Sequence, residues 1–168
     1  MKPELLWTPL IVGGALIVAW CGLEARPSSV NESTQKGLEF RQIGTGEMTD
    51  AEGTKAGFHT ALFSETRFGF TAFEASDGEK LTAMDGQFRS PDEARRYFEW
   101  RVARCLKVLK RGVRTDSKGK LVGYRAEVLL APDQKQSAVI WTDGGTYFEI
   151  FSSSLADALE LEKRRGSP

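Results

Sequence analysis

The chain has 168 residues, with 40% apolar and 27% charged side chains, and it has equal numbers of basic and acidic residues, 23 of each. This composition excludes collagen-like, disordered and polytopic membrane proteins, and the length favours one folded domain. The zero net charge gives no overall attraction to polynucleotides, so no nucleic acid partner is expected. Two cysteines and one histidine leave little material for a disulfide framework, a zinc site or a histidine-based catalytic group.

An uncharged apolar run of 19 residues occupies positions 5–23. A membrane-spanning helix needs about 20 such residues, whereas the core of a signal peptide needs only about 7–15. We therefore predict that residues 1–26 hold a membrane anchor, that residues 5–23 contact the membrane, and that the C-terminal domain is exported. Two alternatives stay open: a cleaved signal peptide, which would give a secreted or periplasmic protein, and a lipoprotein signal lipidated at Cys21.

A polar segment without an apolar period covers residues 27–36 and predicts a linker. A single domain is expected to follow it over residues 37–165. Its first element is predicted as a short strand over residues 38–43. The small polar residues 44–57 then predict a long surface loop, in which no phosphate-binding or other cofactor motif is complete.

Alternating apolar residues on both sides of an Asp-Gly turn at residues 77–78 predict a β-hairpin over residues 67–88. The sequence Ser90-Pro91-Asp92-Glu93 then marks the start of a helix. It supplies an N-cap serine, a proline at the first helical position and a capping-box glutamate. We predict that this helix runs to Arg111 and is ended by Gly112.

At 100° per residue, the apolar side chains of this predicted helix form one arc, which is expected to pack on the sheet. The arc comprises Ala94, Tyr97, Phe98, Val102, Cys105, Leu106, Val108 and Leu109. Within it, Cys105 is expected to be a small buried hydrophobic residue rather than a reactive thiol. Arg101 also falls within the arc, so we expect it to pair with a carboxylate of the sheet, supplied by Glu74, Glu127 or Glu149.

Two further hairpins are predicted over residues 113–130 and 137–151, and the second of them turns at residues 143–145. Ser154 is placed to cap a final helix from Leu155 to about Arg164. The order ββαββββα predicts an α+β fold. In it, an antiparallel sheet of about five or six strands carries one long and one short C-terminal helix on one face, and the N-terminal hydrophobic helix precedes the sheet.

Charge is unevenly distributed along the chain, because residues 89–125 hold 12 basic and four acidic residues. On the predicted helix, basic side chains surround a tryptophan on the side opposite the apolar arc. We predict this side as the interaction face, formed by Arg96, Trp100, Arg104, Lys107 and Arg111. Such a face can bind anionic lipid or an acidic protein partner. A solvated helix surface with no partner is the alternative.

No set of residues in the sequence points to catalysis. His59 stands alone, and the serines at 152–154 lack a nucleophile elbow and a histidine base. Two acid pairs lie in turn-rich sequence, where acids are common: Asp50 with Glu52, and Asp77 with Glu79.

We therefore expect no catalytic, cofactor-binding or metal-binding residues. The favoured function is a membrane-tethered or exported binding or accessory domain that is not an enzyme. The alternatives are a cell-envelope hydrolase that gathers carboxylates from separate loops, and a structural subunit of a membrane-associated complex.

Overall fold

The computed structural model describes residues 38–55, 58, 63, 66–130 and 136–166. The predicted N-terminal helix, the predicted linker, Cys21 and His59 lie outside these residues. Within the described ranges, no helix combines the length and the apolar character that a membrane span requires.

The elements follow one another in the order βαββαββββα, and the fold class is α+β as predicted. The strands are β1 (Phe40–Met48), β2 (Phe68–Ala75), β3 (Lys80–Gln87), β4 (Lys107–Thr115), β5 (Leu121–Leu129), β6 (Ser137–Asp143) and β7 (Thr146–Ser152). The helices are α1 (Asp50–Lys55), α2 (Pro91–Val102) and α3 (Leu155–Gly166).

The strands form one seven-stranded sheet in the order β1-β2-β3-β7-β6-β5-β4, and each neighbouring pair is antiparallel. Helix α2 carries the chain from β3 in the middle of the sheet to β4 at its edge. The prediction of five or six strands is too low. The predicted loop over residues 44–57 is also wrong, because residues 44–48 pair with β2 and α1 follows them.

The two long helices pack on opposite faces of the sheet, so the prediction of one covered face is wrong. Ala138 and Ile140 of β6 belong to the core cluster that includes α2, whereas Val139 and Trp141 belong to the cluster that includes α3. Successive side chains of a strand point to opposite faces. Both faces of β6 are therefore apolar and buried, and each face requires a helical layer.

The start of α2 follows the predicted capping pattern. The Ser90 hydroxyl accepts a hydrogen bond from the Glu93 N–H at 3.2 Å, and Pro91 is the first helical residue. The Glu93 carboxylate accepts from the Arg89 N–H at 3.2 Å, one residue before the N-cap. The first part of the predicted apolar arc is buried as expected: Ala94, Tyr97, Phe98 and Val102.

The end of α2 differs from the prediction, because the helix stops at Val102 rather than at Arg111. The N–H of Leu106 donates to the carbonyl of Leu129 in β5 at 3.0 Å, and residues 107–115 then pair with β5. Helix propensities differ by only tenths of a kcal/mol for most residues, whereas a sheet strand needs partners for its backbone groups. The pairing with β5 therefore overrides the local helical pattern.

This change also removes three residues from the predicted core. Leu106, Val108 and Leu109 were expected to face the sheet from a long helix, but they lie before and within the edge strand β4 and are exposed. The last hairpin turn and the cap of the final helix agree with the prediction, but α2 and α3 each have 12 residues, so the expected contrast of one long and one short helix is wrong. Gly144, with φ of 55°, forms the tight turn between β6 and β7, and the Ser154 hydroxyl accepts from the Asp157 N–H at 3.3 Å at the start of α3.

Candidate functional site

The five predicted interaction residues are divided between two elements. Arg96 and Trp100 belong to α2, Arg104 lies in the turn after it, and Lys107 and Arg111 belong to β4. The prediction of one helical face is wrong because the helix ends before Arg104. Lys107 and Arg111 also lie on opposite sides of β4, since their cross-strand partners belong to different faces of β5.

Trp100 is half-buried and packs on the aromatic core beneath α2. Its ring centre lies 5.3 Å from that of Tyr97 and 5.9 Å from that of Phe63. The Arg104 guanidinium covers the ring at 4.0 Å, a cation–π distance, and donates to the Trp100 carbonyl at 3.3 Å. Trp100 is therefore an integral part of the helix packing rather than a protruding aromatic anchor.

Strand β4 is an edge of the sheet and carries four cations and no acid: Lys107, Lys110, Arg111 and Arg114. Arg111 forms an ion pair with Glu99 of α2. The Arg114 guanidinium lies 5.8 Å from the ring centre of Trp141. Lys107 and Lys110 make no ion pair with any residue that the structure describes. Of the four cations on this edge, only Arg111 therefore forms an ion pair with an acid that the structure describes.

Apolar side chains accompany these cations. Six large hydrophobic side chains are exposed in the described part of the chain, and five of them lie between positions 106 and 121: Leu106, Val108, Leu109, Val113 and Leu121. Val113 is 63% exposed and Leu106 is 55% exposed. We call β4 together with Leu106 and Leu121 the basic edge. Exposed apolar groups that cluster in this way mark an interaction surface more often than scattered ones do.

A second concentration of charge lies buried between α2 and the sheet. Arg101 donates from Nε and Nη2 to the two carboxylate oxygens of Glu149 in β7, over distances of 2.8–3.2 Å. The carboxylate is fully buried, and the Tyr147 hydroxyl donates to it at 2.5 Å. The predicted pairing of Arg101 with a carboxylate of the sheet is confirmed, and Glu149 is the partner.

Two side chains of this network, Tyr147 and Arg101, have raised pKa values. Burial and the neighbouring Glu149 charge raise the pKa of Tyr147 well above that of an ordinary tyrosine. Burial alone would lower the pKa of Arg101, but the Glu149 charge and hydrogen bonds raise it overall. Neither side chain exchanges a proton near neutral pH. The network therefore joins α2 to the sheet through charge-assisted hydrogen bonds.

Cys105 packs against the core cluster beneath α2, but it is partly buried rather than fully buried as expected. Burial raises its pKa to about 12, and its Sγ lies 3.4 Å from the Arg101 carbonyl. A thiol with this pKa is almost wholly protonated at neutral pH, whereas the thiolate is the nucleophile. Cys105 is therefore a packing residue at the end of α2.

The acids considered for catalysis occupy turns and caps. The Glu52 carboxylate accepts from the N–H and the hydroxyl of Thr49 at 2.9 Å and 2.7 Å. The Asp77 carboxylate accepts from the Glu79 N–H at 3.0 Å, and Glu79 itself accepts from the Ser153 N–H at 3.2 Å. Among the described residues, no group of three or more His, Cys, Asp or Glu side chains is arranged to hold a metal ion.

A cleft of about 140 Å³ lies beside the start of α2, between this helix and β5. Two of the polar side chains that line it already interact with Tyr124. The Arg95 guanidinium lies over the Tyr124 ring at 5.2 Å, and the Thr142 hydroxyl accepts from the Tyr124 N–H at 3.0 Å. Gly123 lines its floor, where an added Cβ would lie 1.8 Å from the Thr142 carbonyl oxygen.

The sequence prediction missed Lys110 and Arg114 as members of the same surface. The hairpin offered a signal for them. Gly119, with φ of 77°, turns the chain between β4 and β5, and the two strands have the same length of nine residues. Counting back from this turn by the length of the apolar β5 pattern gives a partner strand that begins near residue 107.

Comparisons of the chain with protein families, with curated proteins and with solved structures each found no match.

Proposed function

We propose that this protein is a membrane-tethered or exported binding domain without catalytic activity, and that its ligand is anionic. The observation that carries this proposal is the basic edge, where four cations and no acid lie beside exposed apolar side chains. The apolar run at residues 5–23 supports the tether or the export signal, because its length suits a membrane span.

The arrangement of charge favours a binding surface over an ordinary solvated one. Solvated protein surfaces usually mix both signs of charge, whereas β4 has cations alone. Charged and apolar groups that lie side by side along one edge suit a partner that supplies opposite charge at some positions and apolar contact at others. The cations would attract the partner, and the apolar side chains would lose water when it binds.

The experiment uses the full chain in nanodiscs of neutral phosphatidylcholine and a labelled poly-glutamate peptide of about 20 residues as the anionic probe. Replacing Lys107, Lys110 and Arg114 by Gln should weaken binding by at least tenfold, since each close cation contributes about 1 kcal/mol of attraction to an anionic surface. Binding by the unmodified chain should also weaken as salt shortens the screening length from about 10 Å at 0.1 M to about 3 Å at 1 M.

The matched control removes three cations from α3 instead, with Lys163, Arg164 and Arg165 replaced by Gln. Arg164 and Arg165 lie over Phe40 of β1 and Phe73 of β2, at the other end of the sheet from β4. The control should bind the probe within about threefold of the unmodified chain, because a screened charge acts over only about 10 Å. Equal losses in both triple variants, or no binding by the unmodified chain, would contradict the proposed function.

A further inference from the structure

We propose that the ligand of the basic edge is an extended acidic segment of another protein, which joins the sheet as an added antiparallel strand beside β4. This inference rests on the proposed function, because it specifies the ligand of the same surface. Strand addition to an open sheet edge combines backbone hydrogen bonds with side-chain contacts on alternate positions.

The hydrogen bonds of β5 show which backbone groups of β4 are available. Tyr124 and Leu130 direct their N–H groups towards β6, to acceptors at 3.0 Å and 2.9 Å. Backbone groups alternate in direction along a strand, and β5 pairs with β6 without a register shift. The intervening Arg125 and Glu127 therefore direct their N–H and C=O groups towards β4.

The outward-facing groups of β4 follow from the register. Gly112 pairs with Arg125, and Lys110 pairs with Glu127, so these two residues of β4 bond inward. Arg111 and Val113 alternate with them and direct their N–H and C=O groups away from the sheet. An added strand would bond to these groups, as it does at other open sheet edges.

The side chains of β4 indicate the chemistry of such a strand. Lys110, Gly112 and Arg114 share one face of the sheet, and a Cβ placed on Gly112 would meet no atom within 4 Å. The space beside Gly112 can hold a partner side chain between the two cations. Opposite charges on directly paired residues stabilise a strand pair. An antiparallel partner would therefore carry acids opposite Lys110 and Arg114, and an apolar residue opposite Val113 on the other face.

The same cations disfavour pairing of β4 with β4 of a second copy of this chain. Pairing β4 with β4 would bring a strand with four basic and no acidic side chains against an identical one. Like charges on paired strands are destabilising, and edge lysines protect many natural sheets from self-association in this way. An acidic segment turns the same charges into attraction.

A protein segment also fits this surface better than a membrane does. Lys110 and Arg114 lie on one face of the sheet and Arg111 on the other, according to their partners in β5. A flat lipid surface can approach only one of these faces, whereas an added strand lies in the plane of the sheet and meets side chains on both. Lipid headgroups can accept from the outward N–H groups of Arg111 and Val113, but they do not present the alternating donors and acceptors of a backbone.

The test measures binding of a fluorescein-labelled peptide with the core Glu-Val-Thr-Thr-Glu by anisotropy, with the full chain in neutral phosphatidylcholine nanodiscs. Val113→Pro removes an outward N–H but no charge, and proline is tolerated at edge positions whose N–H faces solvent. We expect it to weaken binding by at least tenfold. The matched control, Val113→Thr, keeps the N–H and the β-branched shape and should bind within about threefold, since it retains the backbone hydrogen bonds.

A second set of probes leaves the protein unchanged. In the proposed register, the amides of the valine and of the second threonine face β4, and the amide of the first threonine faces away. N-methylation of the two facing amides should abolish binding, whereas N-methylation of the first threonine should be tolerated. Equal binding by both methylated peptides would overturn strand addition.

The failures of the two proposals are distinguishable. If the methylated peptides bind equally but the Gln variant of Lys107, Lys110 and Arg114 loses binding, an anionic ligand remains and strand addition is wrong. If that variant binds as the unmodified chain does, the proposed function itself fails.

Hydrogen exchange of the full chain tests whether lipid or a second copy of the chain, rather than an acidic segment, occupies the basic edge. Slower exchange of the Arg111 and Val113 amides on adding the peptide would support the proposal. Slower exchange in nanodiscs that contain phosphatidylserine, without peptide, would assign the edge to lipid and overturn it. Slower exchange that depends on protein concentration alone would assign the edge to a second copy and would also overturn it.

Discussion

At the scale of single residues, the clearest contrast is between a buried ion pair and an exposed one. Arg101 and Glu149 lie in the core, with 14% and none of their side-chain surfaces exposed, whereas Arg111 and Glu99 form a comparable pair at 46% and 40% exposure. Removal of one partner from a buried pair leaves an uncompensated charge out of water, whereas an exposed partner is simply hydrated.

Arg101→Met should therefore lower the free energy of unfolding by about 3–5 kcal/mol, measured by urea denaturation. The matched control, Arg111→Gln, should change it by less than about 1 kcal/mol. Adding Glu149→Leu to Arg101→Met should recover part of the loss, because no carboxylate is then left buried alone. Similar losses for the two single variants would show that the pair beneath α2 is hydrated.

Cys105 offers a prediction on pH. Its folded pKa is raised to about 12, above the value of about 8.5 for a free thiol. The protonated thiol is therefore retained at neutral pH, and its contribution to stability is lost only as the pH rises from about 9 towards 12. In a Cys21→Ser background, alkylation by iodoacetamide at pH 8 should be about a thousandfold slower than that of a model thiol. A rate near that of the model thiol would show that the thiol is not buried.

At the scale of elements, α2 and β4 have opposite environments although their sequences are close together. The inner face of α2 is buried against the sheet, whereas β4 is exposed over most of its length. A buried position and an exposed one with the same residue type can therefore be compared directly.

Val102→Asp should lower the free energy of unfolding by several kcal/mol, because Val102 is 5% exposed and the new carboxylate would lack a partner in the core. Val113→Asp is the matched control, since Val113 is 63% exposed on β4. This substitution should change the free energy of unfolding by no more than about 0.5 kcal/mol. If the two variants melt alike in calorimetry, the boundary between α2 and β4 is misplaced.

At the scale of the whole molecule, the described residues form two core clusters, one on each face of the sheet. Both described core clusters are built from Leu38 and later residues. We expect that removal of residues 1–26, which the sequence predicts to be an anchor or a signal, releases a folded domain from the membrane fraction. Fractionation and a cooperative melt of the shortened chain provide the check. A full chain that is soluble and retains its N-terminus would contradict the prediction.

The sequence by itself determined the features that depend on neighbouring residues. Ser90 and Ser154 cap helices within a few positions of themselves, and the hairpin turns at Gly78 and Gly144 use the positive φ that glycine favours. The fold class followed from these signals together. The pairing of Arg101 was also predictable, because a charge on an apolar helix face needs a partner, although the sequence left three candidates for it.

Tertiary structure alone decided the features that depend on distant residues. The end of α2 depends on Leu129, because its carbonyl accepts a hydrogen bond from the Leu106 N–H. No glycine or proline near Val102 indicates this end in the sequence. The opposite placement of the two helices follows from the burial of β6 on both faces, which the element order does not encode. The candidate surface moved from a helix to an edge strand for the same reason: strand pairing satisfies backbone groups across long separations in the chain, and local propensity is too weak to oppose it.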